Sequence, residues 1–189
     1  MNNSQYFKGF TLAELLIALA ILGVIATFTI PKVLTAQGSS KYNAMAKETV
    51  AMVSGAYAAF KVTGTASGNT QFSDFTPFMN YVKVDTTTTF DEAQTLATRS
   101  CADWGCLKLH NGGILWTEFT EGFSGTSTNN GTWFCLDPDG IASNDKSACF
   151  IIYFNGRVTS WGQMLPNTVS NYDTYNPTTA YDPPWFSWN

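Results

Sequence analysis

One stretch decides most of what this chain can become. FTLAELLIALAILGVIATFTI, residues 10–30, carries Glu14 as its only charged side chain. A run of about 20 apolar residues, at 1.5 Å rise each, carries a helix across the roughly 30 Å hydrocarbon core of a bilayer. Leu, Ala and Ile occupy every side of that helix, so it has no polar face to lay on a surface. It must sit in lipid or among similar helices. Glu14 is the discordant residue. A carboxylate inside hydrocarbon costs roughly 2.5–3.5 kcal/mol on insertion scales, so its presence asks for a function; the plainer alternative is a side chain that snorkels to the interface.

Three fates of the run compete. A conventional signal peptide would use Lys8 as its charged flank and be cut after Val24-Ile25-Ala26. A plain anchor would stay in place. In the third, the cut precedes the apolar run and the run is retained. Lys8-Gly9-Phe10-Thr11-Leu12-Ala13-Glu14 closely resembles the signal of the type IV pilin and type II secretion pseudopilin superfamily. There a short polar leader ends in Gly, the next residue is usually Phe, and a Glu stands fifth after the cut. Pro31 stands where many family members also have proline. A conventional signal peptide accounts for neither Glu14 nor Gly9-Phe10.

The resemblance implies a maturation route. A membrane-embedded aspartyl peptidase facing the cytoplasm would cut between Gly9 and Phe10 and methylate the freed amine of Phe10. α-Amino groups titrate near about 7.7–8.0, so that amine stays largely cationic at neutral pH. Glu14 of one subunit would then meet the Phe10 ammonium of a neighbour and set the register between otherwise interchangeable apolar surfaces. The implied partners are the prepilin peptidase, the lipid of the inner membrane, and identical or related pilin subunits. The implied location is the bacterial inner membrane, single-pass, with the head outside the cytoplasm. The function is that of a structural subunit of a type IV pilus or pilus-like filament; the alternative is a pseudopilin acting in protein export.

Beyond the apolar run the pattern changes. Pro31 lacks an N–H and strains the preceding turn, which predicts a kink or a melted stretch, with Gly38-Ser39-Ser40 as a second weak point. Over 41–62 the spacing turns amphipathic. Tyr42, Met45, Thr49, Met52, Ala56 and Phe60 recur at three and four residues, with Lys41, Lys47, Glu48 and Lys61 off that face. This predicts a helix over 10–62 whose lower half packs on a sheet. The division that follows is a leader over 1–9, a membrane and stalk helix over 10–62, and an α+β head over 63–189.

Within the head, a short helix or extended piece is expected around 73–84. The run Thr86-Thr87-Thr88-Thr89 before Asp91-Glu92-Ala93 reads as a loop leading to a helix N-cap. Strands are expected over 114–119, 132–136, 149–154 and 157–161, the last two joined by the two-residue link Asn155-Gly156. These predict an antiparallel sheet wrapped on the 41–62 helix, the α+β, pilin-like architecture that the resemblance also implies.

Four cysteines, all in the C-terminal half, point to two disulfides in an oxidising compartment. Cys101–Cys106 and Cys135–Cys149 are favoured over the other two connectivities, the first closing a small loop and the second tying neighbouring strands. Asp137, Asp139, Asn144 and Asp145 gather oxygens in one loop that loosely resembles the calcium loop of major pseudopilins. Calcium coordination and a plain acidic turn are its two readings. The aromatics Tyr172, Tyr175, Tyr181, Trp185, Phe186 and Trp188 would stack on sugars, meet a neighbouring subunit, or pin the tail across the chain's own sheet. A net charge of −4 with scattered basic residues gives no support for nucleic-acid binding. One histidine, no Gly-x-Ser-x-Gly and no phosphate loop leave no catalytic constellation, so the chain reads as a substrate of its peptidase and not as an enzyme.

Overall fold

The structure, a computed structural model, describes residues 9–91, 98–103, 105–118, 122–123, 125–128, 130–140, 147–160, 183 and 186–188. It divides into two compact units, Met1–Ser40 and Lys41–Asn189. Helix α1, Leu12–Val62, contributes to both. In the first unit every large apolar side chain from Leu12 to Leu34 is exposed. The helix is long and apolar enough to cross a membrane, and nothing in the first unit competes with lipid for that surface. Helical structure continues through Pro31 and through Gly38, Ser39 and Ser40, so no melted stretch interrupts α1.

The second unit is built on the rest of α1. Among the described residues its chain continues through α2 (Phe72–Phe75), a 3₁₀ turn over Thr76–Phe78, and eight strands. These are β1 (Lys83–Asp85), β2 (Thr89–Asp91), β3 (Thr98–Ser100), β4 (Gly105–Lys108), β5 (Ile114–Thr117), β6 (Gly131–Asp137), β7 (Ala148–Tyr153) and β8 (Val158–Ser160). Six of them form one antiparallel sheet in the order β1-β4-β5-β6-β7-β8, and β2 pairs with β3 apart from it. A long apolar N-terminal helix followed by this sheet is the α+β, pilin-like layout.

Period-two alternation sends Leu107, Leu115, Phe134, Leu136, Phe150 and Ile152 toward the helix, where they share a core with Met45, Ala46, Val50, Val53, Tyr57 and Phe60. The buried stripe is wider than the spacing of 42, 45, 49, 52, 56 and 60 predicts. Tyr42 and Met52 lie at its margin, while Val53 and Tyr57 are fully enclosed. The Tyr57 hydroxyl donates to the Phe154 carbonyl at 2.9 Å, and burial pushes its pKa up to about 12. The opposite sheet face is buried as well: Trp116 meets Trp133 edge-on at 5.5 Å, and its indole N–H donates to the Ser147 hydroxyl at 3.1 Å.

Two local expectations need correction. The threonine run leads into strand β2, so Asp91 ends a strand where a helix start was expected, and Thr87 and Thr88 cradle a carboxylate. Asp85, 2% exposed, accepts from the Thr87 N–H and hydroxyl at 2.9 and 3.0 Å and from the Thr88 N–H and hydroxyl at 3.1 and 2.8 Å. Glu92 and Ala93 lie outside the described residues. The β7–β8 link is also longer than predicted. Gly156 N–H bonds to Tyr153 O and Tyr153 N–H to Arg157 O, closing a three-residue loop with Gly156 at φ 93°. Strand twist is matched here by a left-handed glycine after the turn rather than by a two-residue turn.

The Asp85 cradle yields a pH prediction. The Thr87 N–H first, then the other three donors, hold its carboxyl well below the usual carboxylate range against the opposing effect of burial. A depressed folded pKa contributes stability that is fully present above the unfolded value of about 3.9 and is lost as pH falls through the folded value. Asp85→Ala should therefore lower unfolding stability by about 3 kcal/mol at neutral pH, since it strips a charged acceptor from two backbone and two hydroxyl donors. The wild-type advantage should shrink only in strong acid, below about pH 4, as read by urea titrations at several pH values.

Candidate processing and assembly site

The site lies where α1 begins. Gly9 and Phe10 precede the helix and are exposed, Phe10 at 91%. A Cβ built on Gly9 meets nothing within 4 Å among the described residues, whose packing makes no demand for glycine there. Thr11 is the N-cap. Its hydroxyl accepts from the Glu14 N–H at 3.2 Å, while Glu14 Oε2 accepts from the Thr11 N–H at 2.8 Å and from the Thr11 hydroxyl at 2.9 Å. This is a reciprocal capping box, satisfying two of the four N–H groups that a helix start leaves without intrahelical acceptors. The Thr-x-x-Glu spacing was visible in the sequence, but the attention drawn by a carboxylate in an apolar run hid it.

Glu14 thus has a local occupation as well as the intersubunit one that the resemblance implies. A cut before Phe10 would place a cationic amine at the positive end of the helix dipole, where a carboxylate in the first turn offsets it. Further along, the Thr27 hydroxyl donates to Val24 O and the Thr29 hydroxyl to Ile25 O, both at 2.7 Å. Those hydroxyls are therefore satisfied inside the apolar run without water. Pro31 removes the one N–H that would have bonded the Thr27 carbonyl.

The remaining sequence candidates lie in the second unit. Cys101 pairs with Cys106 at a Cα separation of 5.4 Å, and Cys135 pairs with Cys149, its directly opposite neighbour on β6 and β7, at 4.0 Å. Asp137 Oδ1 accepts from the Asp139 N–H at 3.3 Å and the Gly140 N–H at 3.0 Å, so one oxygen already serves a turn. Gly140, at φ 66°, packs so closely that a Cβ would come within 2.9 Å of Gly112 O. Asn144 and Asp145 lie outside the described residues. Among the described residues no group of three His, Cys, Asp or Glu side chains gathers as a metal site. His110 stands in the β4–β5 turn, with its ring nitrogen 3.1 Å from Asn80 Oδ1.

Residues 5–30 match the family described as the prokaryotic N-terminal methylation motif. The chain carries the prepilin-type signal of type IV pilins and pseudopilins. The matched residues include Gly9, Phe10, Thr11 and Glu14 and most of the exposed apolar part of α1. Neither the comparison with curated proteins nor that with solved structures gives a match. The prepilin-type signal and the long apolar helix α1 agree with membrane anchoring, and the motif belongs to structural, pilin-type proteins.

Proposed function

We propose that the chain is a structural subunit of a type IV pilus or pilus-like filament, cut between Gly9 and Phe10 and N-methylated on Phe10. One observation carries the reading: the methylation motif coincides with a capped helix start that opens into an exposed apolar helix. On this proposal residues 1–9 are the leader, 10–62 the membrane and stalk helix, and 63–189 the head. Prepilin peptidase acts from the cytoplasmic side, and the inner membrane holds the subunit until it joins identical or related subunits. Export by a type II secretion system uses the same signal, and copurification with a secretion apparatus would favour that alternative.

Gly9→Val tests the proposal cleanly, because a Cβ at Gly9 meets nothing within 4 Å among the described residues. The expected result is a membrane-inserted protein that keeps its leader and forms no filaments by electron microscopy. Normal cleavage and assembly of Gly9→Val would contradict the proposed processing.

A further inference from the structure

A cavity of about 470 Å³ opens in the second unit, far in sequence from the processing site. Helix α1 supplies Glu48, Thr49 and Met52; the segment after the 3₁₀ turn supplies Asn80; the β4–β5 turn supplies Leu109, His110 and Asn111. Three separate segments thus converge on it, and among the described residues no lysine or arginine lines it.

The hydrogen bonds around the rim fix what the cavity offers. Asn111 Oδ1 accepts from the Gly113 N–H at 3.2 Å, which turns its amide nitrogen toward Glu48 Oε2, also at 3.2 Å. The Thr49 hydroxyl donates to Met45 O at 2.8 Å, leaving its oxygen only as an acceptor. With the Asn80 amide oriented so that Oδ1 meets His110 Nε2 at 3.1 Å, a neutral ring carries its proton on Nε2 and leaves Nδ1 as an acceptor. Glu48 and His110 thus bring a carboxylate and an imidazole acceptor to a lining that carries one negative charge. Met52 and Leu109 supply the apolar part of the lining.

We infer that this cavity binds an alkylammonium or guanidinium group, with Glu48 as counter-ion and His110 Nδ1 as a further acceptor. The alkyl stem lies on Met52 and Leu109. A pocket that is apolar in part and offers a few oriented polar groups is the usual form of a small-ligand site. The inference stands independently of the filament proposal. The cation has two sources of the same chemistry, a free amine or a lysine or arginine side chain of a second copy of this chain.

His110 is the single histidine, so its ring signals report on the cavity without ambiguity. The full chain in detergent micelles would be titrated with n-butylammonium chloride and with methylguanidinium chloride, using glucose and sodium chloride as controls. The expected result is a saturable shift of the His110 ring signals with a dissociation constant on the order of millimolar for the cations alone. Glu48→Gln keeps an acceptor for Asn111 and should weaken binding by about tenfold or more. If the signal of the chain without added cation moves toward the bound position as protein concentration rises, the source is a second copy; concentration independence assigns it to a free amine. No saturable shift with either cation, an equal shift with the controls, or undiminished binding by Glu48→Gln would overturn the inference.

Discussion

Glu14→Gln is expected to insert and be cleaved normally but to form no homopolymeric filaments. The substitution separates the two occupations of Glu14. A glutamine at the third helical position still accepts from the Thr11 N–H, so the capping box of α1 survives. What disappears is the charge. If Glu14 of one subunit pairs with the methylated ammonium of its neighbour, losing the carboxylate leaves that ammonium uncompensated among apolar helices. Repeated along a filament, that penalty abolishes assembly. Thr11→Val is the reciprocal variant. It loses the cap hydroxyl, worth about 1 kcal/mol, but keeps the charge, so filaments should form. Electron microscopy of both strains decides the matter. Filaments from Glu14→Gln together with none from Thr11→Val would make the cap, not the pairing, the purpose of Glu14.

Phe150→Ala should produce the largest loss of stability in the second unit. Phe150 is fully buried on β7, with ring centroids 5.4 Å from Phe134, 5.1 Å from Phe186 and 6.0 Å from Trp188. Truncating such a ring costs about 3–5 kcal/mol, a large share of the 5–15 kcal/mol that holds an ordinary domain together. Phe186→Ala removes the partner that brings the chain's end into the same core, where the Ser187 N–H also donates to Asn43 Oδ1 at 3.3 Å. Rings in contact do not act independently. The double variant should lose less than the sum of the two single losses, by about 0.5–1.5 kcal/mol. Thermal unfolding of the chain in detergent, followed by near-ultraviolet circular dichroism, measures all three. Strict additivity would mean that Phe186 contributes nothing through Phe150.

The parts of this fold that were legible in the sequence are those where one strong physical preference acts alone. Residues 10–30 leave no choice but an apolar helix, and the alternating or continuous apolar runs at 114–117, 131–137 and 148–153 leave little choice but strands. Where two preferences compete, reading by pattern missed the outcome. Strand β4 hides in Gly105-Cys106-Leu107-Lys108, four residues whose strand character comes from pairing with β1 and β5 rather than from their own propensity. The four threonines at 86–89 have the composition of a loop before a helix, yet Asp85 recruits the donors of Thr87 and Thr88. Tyr57 escaped because the chosen helical row, though mostly buried, is one flank of a broader stripe that also takes in Ala46, Val50, Val53 and Tyr57. At the processing site the motif named Gly9, Phe10 and Glu14 but not Thr11, which acts through hydrogen bonds that a resemblance does not display. The tail aromatics carry no periodic signal, yet the expectation that they pin the tail across the chain's own sheet holds for Phe186 and Trp188, whose rings meet Phe150.

The central claim is that the apolar helix is retained and begins at a modified phenylalanine. Intact mass and N-terminal fragmentation of the protein extracted from its own membranes test it most directly. The account predicts a chain that starts at Phe10, carries one added methyl on its amine, and still contains Glu14 and Pro31. A chain beginning near Thr27, or an unmodified start at Met1 in a strain with active prepilin peptidase, would contradict it.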